Sequence, residues 1–157
     1  MYKYTQIYIV QQMKSLGHSI IAIFLFGLVL FFEGCDYTNH MLRIHNGSNI
    51  RLSVLYSNNK LVSAENLVDY YISDHNIIHP KDTSDIVIAG KTNAWHEYIS
   101  EGADKKLYIF IFATDSLLKY KGADSMPMLC SEHKYLKLFE YSEEQLQKEN
   151  WLVEFKD

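Results

Sequence analysis

The stretch Leu107-Tyr108-Ile109-Phe110-Ile111-Phe112 constrains this chain more than any other. It is continuous, apolar and β-prone, and polar residues bound it at both ends. Such a run predicts a strand buried on both faces, since side chains on either side of the pleat avoid water.

Other segments add strands around it. Leu42 and Ile44 alternate with polar neighbours, and Ile50, Leu52, Val54 and Tyr56 alternate with Arg51 and Ser53. Asn46-Gly47 lies between the two patterns and predicts a hairpin, because a type I′ turn needs positive φ at both central residues. The same turn accounts for Asn46-Gly47-Ser48, which also spells an N-glycosylation acceptor. Leu67, Val68, Tyr70, Tyr71 and Ile72 fit either a strand or a short helix. His79-Pro80 and the polar residues 81–85 read as a loop. Ile86-Val87-Ile88 gives a short strand ended by Gly90, and residues 95–99 suit a helical turn. After a break at Met126-Pro127, residues 135–141 predict another strand. Ser142 with Gln145 three residues on is a capping-box pattern, with Glu143 and Glu144 in the first turn. That helix is expected to end near Asn150, before Trp151, Val153 and Phe155 alternate as a final strand. The expected fold is mainly β, an antiparallel sandwich-like domain with one or two short helices; α+β is the alternative.

A second apolar run, residues 20–32, is short for a bilayer span, which takes about 20 apolar residues. It matches the core of a signal peptide. Met13-Lys14-Ser15-Leu16-Gly17-His18 supplies a short basic start directly before it, so 1–12 reads as an extension upstream of the true start. A longer leader beginning at Met1 gives the same mature protein. Phe32-Glu33-Gly34-Cys35 resembles a bacterial lipobox, although Phe32 is bulkier and Glu33 less small than usual. The resemblance implies cleavage of 1–34 and a lipid on Cys35, an anchor whose strength grows by about 0.8 kcal/mol per buried methylene. Residues 35–40 then form a lipidated tether, and 41–157 a single domain of ordinary size.

The formal net charge is −4, and loss of the leader makes it slightly more acidic. With no basic cluster, the chain is not expected to bind nucleic acid. Lipidation of Cys35 leaves Cys130 without an intramolecular partner. Cys130 is expected to be a small buried apolar side chain. On a strand, His133 would face away from it.

Several motifs together resemble a group of small lipoproteins from Bacteroides-type bacteria. They are Ile109-Phe110-Ile111-Phe112-Ala113-Thr114-Asp115, Tyr135-Leu136, Tyr141-Ser142-Glu143-Glu144-Gln145-Leu146 and Asn150-Trp151, with Trp95 and the Asn46 segment. Phe155-Lys156 stands where such proteins often carry Tyr-Pro. The resemblance implies a small exported β-rich domain with no catalytic residues to carry over. It also implies outer-membrane placement, periplasmic or surface-facing, with Asp36 as the one acidic residue directly after Cys35. Asp115-Ser116-Leu117 and Asp124-Ser125-Met126 fit the O-glycosylation pattern of those bacteria, making Ser116 and Ser125 candidate acceptors. Asp-Ser is also ordinary turn chemistry.

No nucleotide-binding glycine loop, Cys-x-x-Cys pair, His-Glu-x-x-His helix or Gly-x-Ser-x-Gly elbow is present. Ser73-Asp74-His75 contains triad residue types, but triads depend on spatial geometry. His75 and His79 with Asp74, Asp82 and Asp85 form the densest metal-type cluster, although Pro80 disfavours the helix that four-residue spacing needs. No metal or other cofactor is expected. Aromatic residues make up 14% of the chain. Tyr56, Tyr108 and Trp151 are expected in the core, while Tyr70, Tyr71, Tyr98 and Tyr120 are candidates for stacking on a ligand, with core or rim packing the favoured reading even for these four. The leading expectation is a non-enzymatic envelope lipoprotein that binds protein or glycan. A small hydrolase or metal-dependent enzyme using the His75/His79 region is one alternative. A structural component of an envelope complex is the other.

Overall fold

Strand β5 (Lys106–Ala113) is buried along both faces, from Leu107 to Phe112, in a computed structural model of the protein. The structure describes residues 37–62, 67–122 and 126–156. The expected leader, Cys35, Asp36 and Ser125 lie outside them.

Two sheets and a set of short helices explain the burial of β5. The first sheet has the order β4-β1-β7, formed by β1 (Thr38–Asn46), β4 (Thr83–Ala89) and β7 (Leu152–Phe155). The second has the order β3-β2-β5-β6, adding β2 (Leu52–Ser57), β3 (Ile77–Ile78) and β6 (Lys137–Ser142). All pairings are antiparallel except β1 with β7, which is parallel. Odd-numbered residues of β5, Leu107, Ile109 and Ile111, join Leu42, Ile44, Val54, Val153 and Phe155 in the core between the sheets. Even-numbered Tyr108, Phe110 and Phe112 pack on the opposite side with Leu55. There they meet Val68 and Tyr71 of α1 (Val68–Tyr71), Leu117 of α3 (Thr114–Leu117), and Leu129 of α4 (Met126–Ser131). Period-two alternation therefore serves two separate cores. Helix α2 (Ala94–Glu101) closes the inter-sheet core with Trp95 and Ile99, and α5 (Glu143–Lys148) adds Leu146. The protein is mainly β, as expected.

The Asn46-Gly47 hairpin does not form. β1 and β2 belong to different sheets, and neither Asn46 nor Gly47 has the positive φ of a type I′ turn. Asn46 is instead fully buried, and its amide reaches the carbonyls of Ile50, Ile78 and His79 while its oxygen accepts from Ser48. That burial also removes the N-glycosylation acceptor from solvent. Gly47 is needed for closeness: its N–H donates to the Phe155 carbonyl at 2.7 Å, and a Cβ there would lie 2.9 Å from that oxygen.

Smaller differences follow local chemistry. Residues 68–71 form the helix rather than the strand. Met126-Pro127 opens α4 instead of breaking the chain, because proline is tolerated in a first turn. The strand expected over 135–141 runs over 137–142. The Ser142 capping box is complete, and its helix ends at Lys148. Trp151 has φ 58 and precedes β7 rather than belonging to it, although its side chain is still buried.

Candidate functional site: a tyrosine-lined groove

An open groove of about 700 Å³ runs along β4 between the two sheets. Its volume lies within the range of small-ligand sites, about 300–1,000 Å³. Tyr56 enters it from β2, Tyr70 and Tyr71 from α1, and Tyr98 from α2. His75 reaches it from the 3₁₀ turn Asp74–Asn76. The opposite wall is β4 itself, residues 84–89 without a gap.

Local hydrogen bonds fix this wall of tyrosines. Asn76 Nδ2 and Ser73 Oγ both donate to the Tyr70 carbonyl, at 2.7 and 2.8 Å, tying the 3₁₀ turn to the end of α1. Asn58 Nδ2 donates to the Tyr98 carbonyl at 2.9 Å and secures α2 against the end of β2. The rings meet edge to face, Tyr56 with Tyr98 at 5.7 Å and Tyr70 with Tyr71 at 5.1 Å between centroids. Behind them Trp95 packs on Tyr56 at 5.1 Å. Its buried Nε1 has no hydrogen-bond acceptor among the described residues. Tyr56 Oη donates across the groove to the Val87 carbonyl at 3.2 Å.

Burial holds Tyr56, Tyr71 and Tyr98 protonated beyond the ordinary tyrosine range. It pushes Tyr56 up to about 12, with Tyr98 and Tyr70 adding to the effect. Burial raises Tyr71 too, reinforced by Tyr70. Tyr98 is raised by burial, partly opposed by hydrogen bonds from the Asn58 main chain and the Ser57 side chain. The groove therefore presents ring faces and the hydroxyls of Tyr56, Tyr71 and Tyr98, with the side chains of Asp85 and His75 on its lining.

Three of the four candidate stacking tyrosines, Tyr70, Tyr71 and Tyr98, line this one groove. They differ in accessibility: Tyr70 is 63% exposed, Tyr98 is half-buried, and Tyr71 is 8% exposed because it also fills the helix-side core. Tyr120 lies apart and packs against that second core. Tyr108 and Trp151 are buried as expected. Tyr56 was expected in the core, yet it lies at the core's margin and lines the groove. The hydrophobic alternation of β2 could not distinguish those two positions. No single residue in the sequence marked β4 as the opposite wall.

Of the His75/His79 cluster, His75 and Asp85 both line the groove, whereas His79, Asp74 and Asp82 are not on its lining. No group of three or more His, Cys, Asp or Glu converges to hold a metal among the described residues. Both His75 and His79 are exposed. Ser73 Oγ donates to Tyr70 and accepts from Asn76, so its hydrogen bonds do not lead to His75. Cys130 and His133 lie on and just after α4 rather than on a strand, and both line a second cavity of about 300 Å³. His133 Nδ1 is 2.8 Å from the Tyr135 hydroxyl, and burial pushes the Cys130 thiol up to about 12. A neutral thiol is a poor nucleophile. Ser116 is exposed on α3 beside Asp115, whose carboxylate accepts from Arg51 at 2.5 Å. No described helix is long and apolar enough to cross a membrane. Comparison with family models, characterised proteins and solved structures gives no match for this chain.

Proposed function

We propose that this chain is a non-enzymatic, lipid-anchored binding protein of the bacterial cell envelope, and that the tyrosine-lined groove holds its protein or glycan ligand. The observation that carries the reading is the convergence of Tyr56, Tyr70, Tyr71 and Tyr98, from three separate elements, on one open groove. Aromatic rings supply large contact area at small conformational cost, and their hydroxyls remain available for hydrogen bonds. The leader and Cys35 supply the address.

Two experiments test the two halves of this proposal. The full chain is screened against displayed peptides and a glycan array, beside Tyr70→Ala and Tyr98→Ala. Ligands retained by the parent and lost by both variants support the groove as the site. Ligands that bind all three proteins equally exclude it. For the anchor, metabolic lipid label is expected in the parent and absent in Cys35→Ala. Label that persists in the variant rejects Cys35 as the lipidated residue.

A further inference from the structure

The side chains of a strand alternate between faces, so a side-chain wall would use every second residue. Residues 84–89 line the groove consecutively. The main-chain edge of β4 is therefore part of the wall. β4 pairs with β1 on one side, and among the described residues no strand pairs with its other edge. The Val87 carbonyl accepts from Tyr56 across the groove, so it points away from β1. In an antiparallel strand the N–H and C=O of one residue point the same way, and alternate residues share that direction. Asp85, Val87 and Ala89 thus present their main-chain donors and acceptors to the groove.

We infer that the groove takes an extended polypeptide, which adds to β4 as a further strand and lays alternate side chains against the tyrosines. This deepens the binding reading above and rests on it. The main-chain edge fits a peptide better than a sugar, because a strand matches a repeating row of donors and acceptors. Charge narrows the occupant further. The lining residues include Asp85 and neither Lys nor Arg, and Asp69 and Asp74 directly precede the lining residues Tyr70 and His75. Asp85 is half-exposed; His40 approaches it only to 3.7 Å, His75 shares the lining, and Arg43, opposite Asp85 on β1, turns its guanidinium to the Asn150 carbonyl. The preferred segment therefore carries a Lys or Arg among alternating apolar residues. Tyr56 Oη occupies, on the Val87 carbonyl, the place of an incoming N–H, and must be displaced.

The probe is a displayed library of random nine-residue peptides, selected on the full chain with Tyr70→Ala as counter-selection. Selected peptides are expected to alternate apolar residues, to contain Lys or Arg, and to weaken at least tenfold when alternate main-chain nitrogens are methylated. Asp85→Asn should weaken the basic peptides. Tyr56→Phe, which frees the Val87 carbonyl and keeps the ring, should tighten them roughly threefold. Val87→Pro removes an edge donor without touching the β1 ladder and should abolish binding; the methylated peptides decide the matter if that variant fails to fold. Peptides that tolerate methylation overturn the strand-addition inference. So does a groove that retains oligosaccharides in a Tyr70-dependent way and no peptide, an outcome that leaves the binding reading intact. Absence of any Tyr70-dependent ligand overturns both.

Discussion

The Asn46 side-chain amide donates to the main-chain carbonyl of Ile50 at 2.7 Å, four residues along the chain and inside the protein. The same nitrogen reaches Ile78 and His79, so one side chain joins the β1–β2 connection to the end of β3. Asn46→Ala leaves buried carbonyls without a donor and should cost on the order of 3 kcal/mol. Asn46→Asp should be worse, since a carboxylate would face the same oxygens. Urea denaturation of both variants measures the loss; a midpoint within error of the parent would show that the network is dispensable.

Gly102 follows α2, where a Cβ would sit 2.1 Å from the Asn58 carbonyl oxygen. That oxygen is main chain, so the clash cannot be relieved by rotating a side chain. Gly102→Ala should lower stability by roughly 2 to 3 kcal/mol. Because Asn58 also holds the Tyr98 carbonyl, the variant should disturb the groove as well. Near-ultraviolet circular dichroism of the tyrosines reads that disturbance separately from the melting temperature.

Alkaline pH should destabilise the fold. Tyrosines in the unfolded chain ionise near pH 10, whereas burial pushes Tyr56 up to about 12 and raises Tyr71 and Tyr98 in the same direction. Between these values the unfolded state holds fewer protons than the folded one, so stability falls as pH rises. The contribution is complete below about pH 10 and is lost on the way up through the folded values. Urea midpoints measured upward from pH 8 should decline most steeply above 10. Tyr56→Phe should show a shallower decline; equal slopes would assign the effect to other groups.

Cys130 should react slowly while the protein is folded. With its thiol pushed up to about 12 by burial, the thiolate fraction at pH 8 is on the order of a thousandfold below that of an exposed cysteine. Alkylation followed by peptide mass spectrometry should find Cys130 unmodified in native protein and modified in urea. Rapid native labelling would reveal a local opening of α4.

Local signals were legible where local energetics decide the structure. The β5 run could be read because burial on both faces removes the need for polar alternation. The Ser142–Gln145 box could be read because its two hydrogen bonds close within four residues. The Asn46-Gly47 segment misled because its partners are distant: Ile78, His79 and Phe155 decide its shape. Pro127 looked like a breaker because position within a helix turn is invisible until the helix is known. For the groove, the aromatic half was partly legible as Tyr70, Tyr71 and Tyr98. The β4 half was not, since an edge is a property of sheet order and no residue type encodes it.

The parallel pairing of β1 with β7 gives assembly a direction in time. Arg43 lies opposite Leu152 and Asn46 opposite Phe155, so the first described strand is completed by the last. Contacts of such long sequence separation form late and slow the whole transition. During synthesis, β1 must wait with one edge unsatisfied until the distal segment arrives. The interval exposes an adhesive strand to whatever else is present, and a chaperone that shields β1 would act during that wait.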